Sequence, residues 1–183
     1  MVNSQASVQG QTLTSAGFPR GSITFDPSFT YVGVDTFVLY SVARCEIHLF
    51  AEADSMRNVR RLYWVQYEGY LPDRDNNYNY SEDPRRTLIN GFTFYDNSRY
   101  YNAEKAAKAR RKGSDGEHVA QLLEKNGYTF SGDVMYLRLV RLDSSARNEL
   151  MIIYAESLGQ HGLSVADLEQ SPDTWNSVSD SLR

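Results

Sequence analysis

Residues 45–68 read CEIHLFAEADSMRNVRRLYWVQYE, two strand-like runs of aliphatic and aromatic residues around a polar link. Such an arrangement predicts a β-hairpin, and its register decides which side chains share a face. A slip of one residue turns every side chain of a strand to the other side. One register sets Glu52 against Arg60, Phe50 against Leu62, His48 against Trp64, Glu46 against Gln66 and Arg44 against Glu68. Opposite charges then meet at both ends, each pair contributing about 0.2–1 kcal/mol. The reverse face carries Cys45, Ile47 and Leu49 with Tyr63, Val65 and Tyr67, an apolar surface suited to helix packing. The slipped register mixes His48 and Glu46 with Tyr63 and Val65 and loses both charge pairs, so the first is the expectation.

A second hairpin is predicted from DVMYLRLVRL and ELMIIYAES, which flank DSSARN. The unbroken run LMIIY suits a strand covered on both faces, at the centre of a sheet. Here the favoured register places Arg141 opposite Glu149, Arg138 opposite Ile152, Tyr136 opposite Tyr154 and Val134 opposite Glu156. Met135, Leu137, Leu139, Met151 and Ile153 then face covering helices.

If the two mixed faces lie on one side of a single sheet, they gather Phe50, Trp64, Gln66, Tyr136, Arg138, Tyr154 and Glu156 around one hollow. An aromatic wall with a few convergent polar groups is the usual composition of a small-molecule site. Arg138 is the natural anchor for an anionic or polar group. His48, with Glu46 and Glu68 beside it, is the candidate catalytic group, a histidine being able to exchange a proton near neutral pH. The competing readings are a hydrogen-bonded structural histidine and a half-exposed sheet face whose charge pairs stand in water.

Elsewhere, ITF, TYVGV and DTFVLYSV predict further strands, and LINGFTFYDN one short strand. Between Asp73 and Arg86 lies a long polar loop, DRDNNYNYSEDPRR, of the kind that forms lids or partner contacts. Two helices follow, separated by KGSDG. Lys105, Lys108, Arg110, Arg111 and Lys112 gather at the C-terminal end of the first, where the helix dipole favours cations in solvent; an anion or RNA contact is the competing reading. The second opens on a capping box, Ser114 and Glu117, carries Val119, Leu122 and Leu123 on one stripe and stops at Asn126 and Gly127. Ser164 and Asp167 form another capping box, and Trp175, Val178 and Leu182 recur at helical spacing near the end. Residues 1–20, rich in Ser, Gln, Thr and Gly, read as a flexible arm. The expected fold is a single α+β domain over 21–183, a curved and mostly antiparallel sheet with two or three helices packed on one face.

Composition narrows the functions. A net charge of −4 in 183 residues argues against general nucleic-acid binding, which needs clustered cations. No apolar run reaches the ~18 residues of a membrane span. A lone cysteine, Cys45, excludes an internal disulfide framework and suits a reducing compartment. Without a basic start and apolar stretch in the first twenty residues, a cytoplasmic location is expected. His118 and His161 have no ligand spacing, so no metal is expected. No nucleophile elbow, phosphate-cradling glycine loop or dinucleotide fingerprint occurs, which leaves no cofactor to expect. Three classes remain: a small-molecule binding module, an enzyme using the His48–Glu pair, and a protein-interaction domain using the 73–86 loop.

Overall fold

A computed structural model describes residues 5–83 and 85–182. Its largest element is a seven-stranded antiparallel sheet. In spatial order it runs β4 (Thr30–Leu39), β5 (Ala43–Ala53), β6 (Val59–Tyr70), β10 (Asn148–Ser157), β9 (Asp133–Leu142), β8 (Phe92–Asn102) and β7 (Arg85–Ile89). The apolar run LMIIY lies in β10, the middle strand. The runs TYVGV and DTFVLYSV fuse into β4, whose register shifts between Tyr31 and Gly33. LINGFTFYDN belongs to a hairpin rather than to one strand. Asn90 and Gly91, with φ of 49° and 80°, form the left-handed turn between β7 and β8, the conformation an Asn-Gly pair adopts most readily.

Both registers differ from expectation by one residue. Glu52 pairs with Arg61, Phe50 with Tyr63, His48 with Val65, Glu46 with Tyr67 and Cys45 with Glu68. The cause lies at the turn. Ala53 pairs with Val59 in the anticipated alignment, but the register shifts between Ala53 and Glu52, so that Arg60 is an extra residue. Such a bulge inverts the facing of every following side chain. The turn is fixed by Asp54, whose carboxylate accepts the backbone N–H groups of Met56 and Asn58, and by Arg57 at φ 62°. Likewise Leu142, not Arg141, pairs with Glu149, and Arg138 pairs with Ile153. There Asp143 accepts from the Arg147 backbone N–H and Ala146 takes a φ of 52°. Expecting one apolar and one mixed face misled the register because both faces are covered.

The first face carries Ile47, Leu49, Leu62, Val134 and Ala155 and meets α2 (Asp115–Lys125). α2 starts where the Ser114 hydroxyl accepts the Glu117 N–H, while the Glu117 carboxylate takes the Gly113 N–H. It buries Val119, Leu122 and Leu123. His118 fastens it to β4, with Nδ1 at 2.7 Å from Asp35 and its ring stacked at 3.6 Å on Phe37. The shorter α1 (Ala103–Ala109) is capped by Asn102 and directly follows β8.

The opposite face carries Phe50, Val65, Tyr67 and Leu150 and is covered by a three-stranded sheet of β1 (Ala6–Gln9), β2 (Thr12–Ser15) and β3 (Gly21–Thr24). The segment expected as a flexible arm therefore carries a hairpin, because Ala6 and Leu13 are apolar and reach this core; residues 1–4 lie outside the described residues. α3 (Val165–Gln170) and α4 (Pro172–Ser181) also belong to this side. Leu168 joins Met135 and Leu158, and Trp175 meets the Tyr100 ring edge-on at 4.9 Å. The helices are thus divided between the two faces instead of sharing one, as the parity of Met135 and Tyr100 requires. No helix among the described residues is long and apolar enough to cross a membrane.

Candidate functional site

The observed parity splits the expected site. Trp64, Gln66, Glu68, Tyr136 and Arg138 stand on the α2 face, whereas Glu46, His48, Phe50, Tyr154 and Glu156 stand on the β1–β3 face. His48 and Arg138 therefore emerge on opposite sides of the sheet, and the single hollow that was to unite them is replaced by two unlike environments.

On the β1–β3 face the polar groups are locked. His48 is 2 % exposed; its Nε2 lies 2.8 Å from Glu46 Oε1 and its Nδ1 3.1 Å from the Tyr31 hydroxyl. Burial, then the charge of Glu46, pushes the Tyr31 hydroxyl up to about 12. Glu46 also accepts the backbone N–H groups of Gln5 at 2.6 Å and Ala6 at 3.0 Å. A buried carboxylate with three donors is costly to strip and has a clear structural role, tethering the first strand. Glu68 cannot orient His48 from across the sheet. Phe50 stacks on Phe25 at 3.9 Å. Glu156 accepts from the Tyr154 hydroxyl at 2.6 Å and meets His161 at 2.9 Å. Tyr154 borders a small hollow of about 300 Å³ beneath β3.

The α2 face is different. Register places Leu62 beside Ala155 and Trp64 beside Ile153, with Tyr136 and Arg138 on the next strand. α2 covers one side of this area and α1 follows from the other, leaving a cleft of about 820 Å³ between them and the sheet. Its floor is Leu62, Trp64, Met151, Ile153 and Tyr136, and Phe130 adds to the lining. Ala103, Ala106 and Ala107 of α1 face it together with Gly116 and Ala120 of α2, and these small side chains leave the volume unfilled. Trp64 is held from below: its Nε1 donates to Gln66 Oε1 at 2.9 Å, and Gln66, fully buried, donates to Glu68 at 2.6 Å.

Beyond the Trp64 end the loop from Leu71 to Asp83 folds onto the sheet. Glu68 and Glu149 are cross-strand partners, both buried. The Tyr78 hydroxyl donates to Glu68 at 2.7 Å and the Tyr80 hydroxyl to Glu149 at 2.8 Å. Burial first, and the charge of Glu68 second, lifts the Glu149 carboxyl to about 7. Cys45 donates to Glu68 at 3.2 Å and its thiol is pushed far up by burial, which leaves it without thiolate reactivity. Arg138 reaches the cleft but is already paired with Asp83 at 3.1 Å. No cluster of three or more metal-ligating side chains occurs among the described residues.

Arg99, Tyr101, Arg110, Asp115 and Phe130 also line the cleft and were not anticipated. Arg110 belongs to the cationic helix end, for which a solvated end is the first expectation and an anion or RNA contact the second. The stripe Ala103, Ala106 and Ala107 was the available signal, a small-residue face on a helix whose other residues, Ala109 apart, are charged. No protein-family model, curated protein or solved structure matches the chain.

Proposed function

We propose that the chain is a small-molecule binding module whose ligand lies in the cleft between α1, α2 and the sheet. The observation that carries this reading is the cleft itself: about 820 Å³ over an apolar and aromatic floor, with arginines at its edge. That volume and that lining are typical of cofactor and metabolite sites. Trp64 provides a flat wall fixed by Gln66, and polar groups confined to the rim would orient the guest. A cytoplasmic setting goes with this reading, because the lone cysteine is buried and unpaired with another thiol.

The enzyme reading finds less support. His48 and Glu46 are in hydrogen-bond reach of each other, yet the other ring nitrogen already serves Tyr31 and the carboxylate oxygens already serve Gln5 and Ala6. The interaction reading is weakened by Tyr78 and Tyr80, which turn the 73–86 loop inward.

Thermal-shift measurement across a panel of metabolites tests the proposal. Compounds that raise the melting temperature of the wild type should have no effect on Ala107→Trp, which fills the cleft from an exposed helix position and leaves every sheet residue unchanged. Shifts that persist in this variant would place the binding elsewhere and sink the reading.

A further inference from the structure

A count of donors and acceptors around the cleft shows which end of a guest carries charge. Among the carboxylates at its edge, Glu104 accepts the Gly132 backbone N–H at 2.9 Å, and Asp115 turns its Oδ2 toward the Gln66 amide at 3.4 Å. Arg138 is neutralised by Asp83. Arg99 and Arg110 have no carboxylate within ion-pair distance among the described residues. Arg110 lies against the first turn of α2, its Nε 3.8 Å from where a Cβ on Gly116 would stand. Its charge also acts on the Tyr101 hydroxyl, which burial pushes up to about 12.

Tyr101 and Tyr136 meet edge-on with ring centroids 6.0 Å apart, and both line the cleft. Neither hydroxyl hydrogen-bonds to another described residue, and neither is an orphan sealed from solvent. Two phenol groups and a guanidinium, all donors without protein acceptors, thus adjoin one apolar hollow. Cationic and hydroxyl donors left without protein acceptors at the edge of such a hollow match an anion with an apolar body, since charge-assisted hydrogen bonds are the strong ones.

Resting on the cleft reading above, we propose that the ligand is an amphipathic monoanion, an acyl or aromatic carboxylate, with its head on Arg110, Tyr101 and Tyr136 and its apolar body on Leu62, Trp64 and Ile153. Arg99 adds to the positive field at the mouth, and Arg138 serves the loop rather than the ligand. The neutral analogue of the same anion binds through its apolar part alone.

Displacement of bound anilinonaphthalene sulfonate by dodecanoate and by dodecanol, each below its aggregation limit, tests this. In the wild type dodecanoate should bind more tightly than dodecanol. Arg110→Gln, at an exposed helix end, should weaken dodecanoate about tenfold while changing dodecanol less than about twofold. Tyr101→Phe should act in the same direction more weakly. Equal binding of the two probes by the wild type, or an Arg110→Gln variant that treats both as the wild type does, overturns the head-group assignment while leaving the cleft as a binding site. Failure of both probes to saturate, or binding that survives Ala107→Trp, removes the cleft reading itself.

Discussion

The two faces of the central sheet are built from similar residues and end in opposite states. On the β1–β3 face, His48, Glu46 and Tyr31 are sealed beneath a second sheet, and each polar atom has a partner inside the protein. On the α2 face, Trp64, Tyr101 and Tyr136 border open volume, and the two tyrosine hydroxyls and the Arg110 guanidinium have no hydrogen-bond partner among the described residues. What separates a locked polar cluster from a receptive one here is the size of the covering side chains. Phe25, Phe29 and Leu13 fill the space above Phe50, whereas alanines and a glycine stand above Ile153.

The sharpest way to break this contrast is to open the closed face. Phe50→Ala deletes a fully buried ring stacked on Phe25 and should cost about 3–5 kcal/mol in denaturant unfolding, with amphiphile binding by the remaining folded protein unchanged. A loss within the experimental error would mean that this core is loosely filled and the two faces are alike. Next in size is Glu46→Gln, which weakens charge-assisted bonds to two backbone N–H groups and to His48. A destabilisation on the order of 2 kcal/mol is expected, together with faster amide exchange at Gln5 and Ala6. Unchanged exchange there would deny the carboxylate its tethering role.

The α2 face offers a test by pH. The Glu149 carboxyl is raised in the folded protein to about 7 from an ordinary value of 4.5, so between these limits the folded state holds more protons than the unfolded chain. Its contribution therefore destabilises progressively as pH rises from about 4.5 to about 7 and levels off above, by on the order of 1–3 kcal/mol. Glu149→Gln should flatten that part of the stability–pH curve, and a curve of unaltered shape would show that the carboxyl titrates normally. Smallest of all is Tyr78→Phe, which removes one hydrogen bond to Glu68 and should cost about 1 kcal/mol, with raised protease sensitivity confined to the 71–83 loop.

Much of the architecture was legible in local signals. Ser114, Val119, Leu122, Leu123 and Gly127 mark α2 from cap to stop, and LMIIY marks the central strand, because helix periodicity and two-sided burial leave direct traces in residue order. The hairpin at Asn90–Gly91 was equally legible and was passed over, although that dipeptide is a strong turn signal. Register was not legible from side-chain pairing. Both candidate alignments of β5 with β6 put apolar residues on each face, and the choice between them rests on backbone geometry in DSMRN, where Asp54 and Arg57 set a bulge. The site suffered accordingly. Trp64, Tyr136 and Arg138 line one cleft, but Tyr101 enters it through the pairing of β8 with β9, and Arg110 through the way α1 is laid down, long-range outcomes with no signature in neighbouring residues.

The extra residue at Arg60 has a consequence for any redesign of this chain. Excising that one amino acid would remove the bulge and still leave Glu52 opposite Arg61, so that the rest of β6 keeps its present faces. Excising Leu62, beyond the bulge, would instead drive indole 64 toward Phe25 and the ring of Tyr63 toward Leu123, so that neither layer could close. The link can therefore absorb a change of one residue where the strand beyond it cannot, which makes parity along β6 the quantity a protein engineer must preserve.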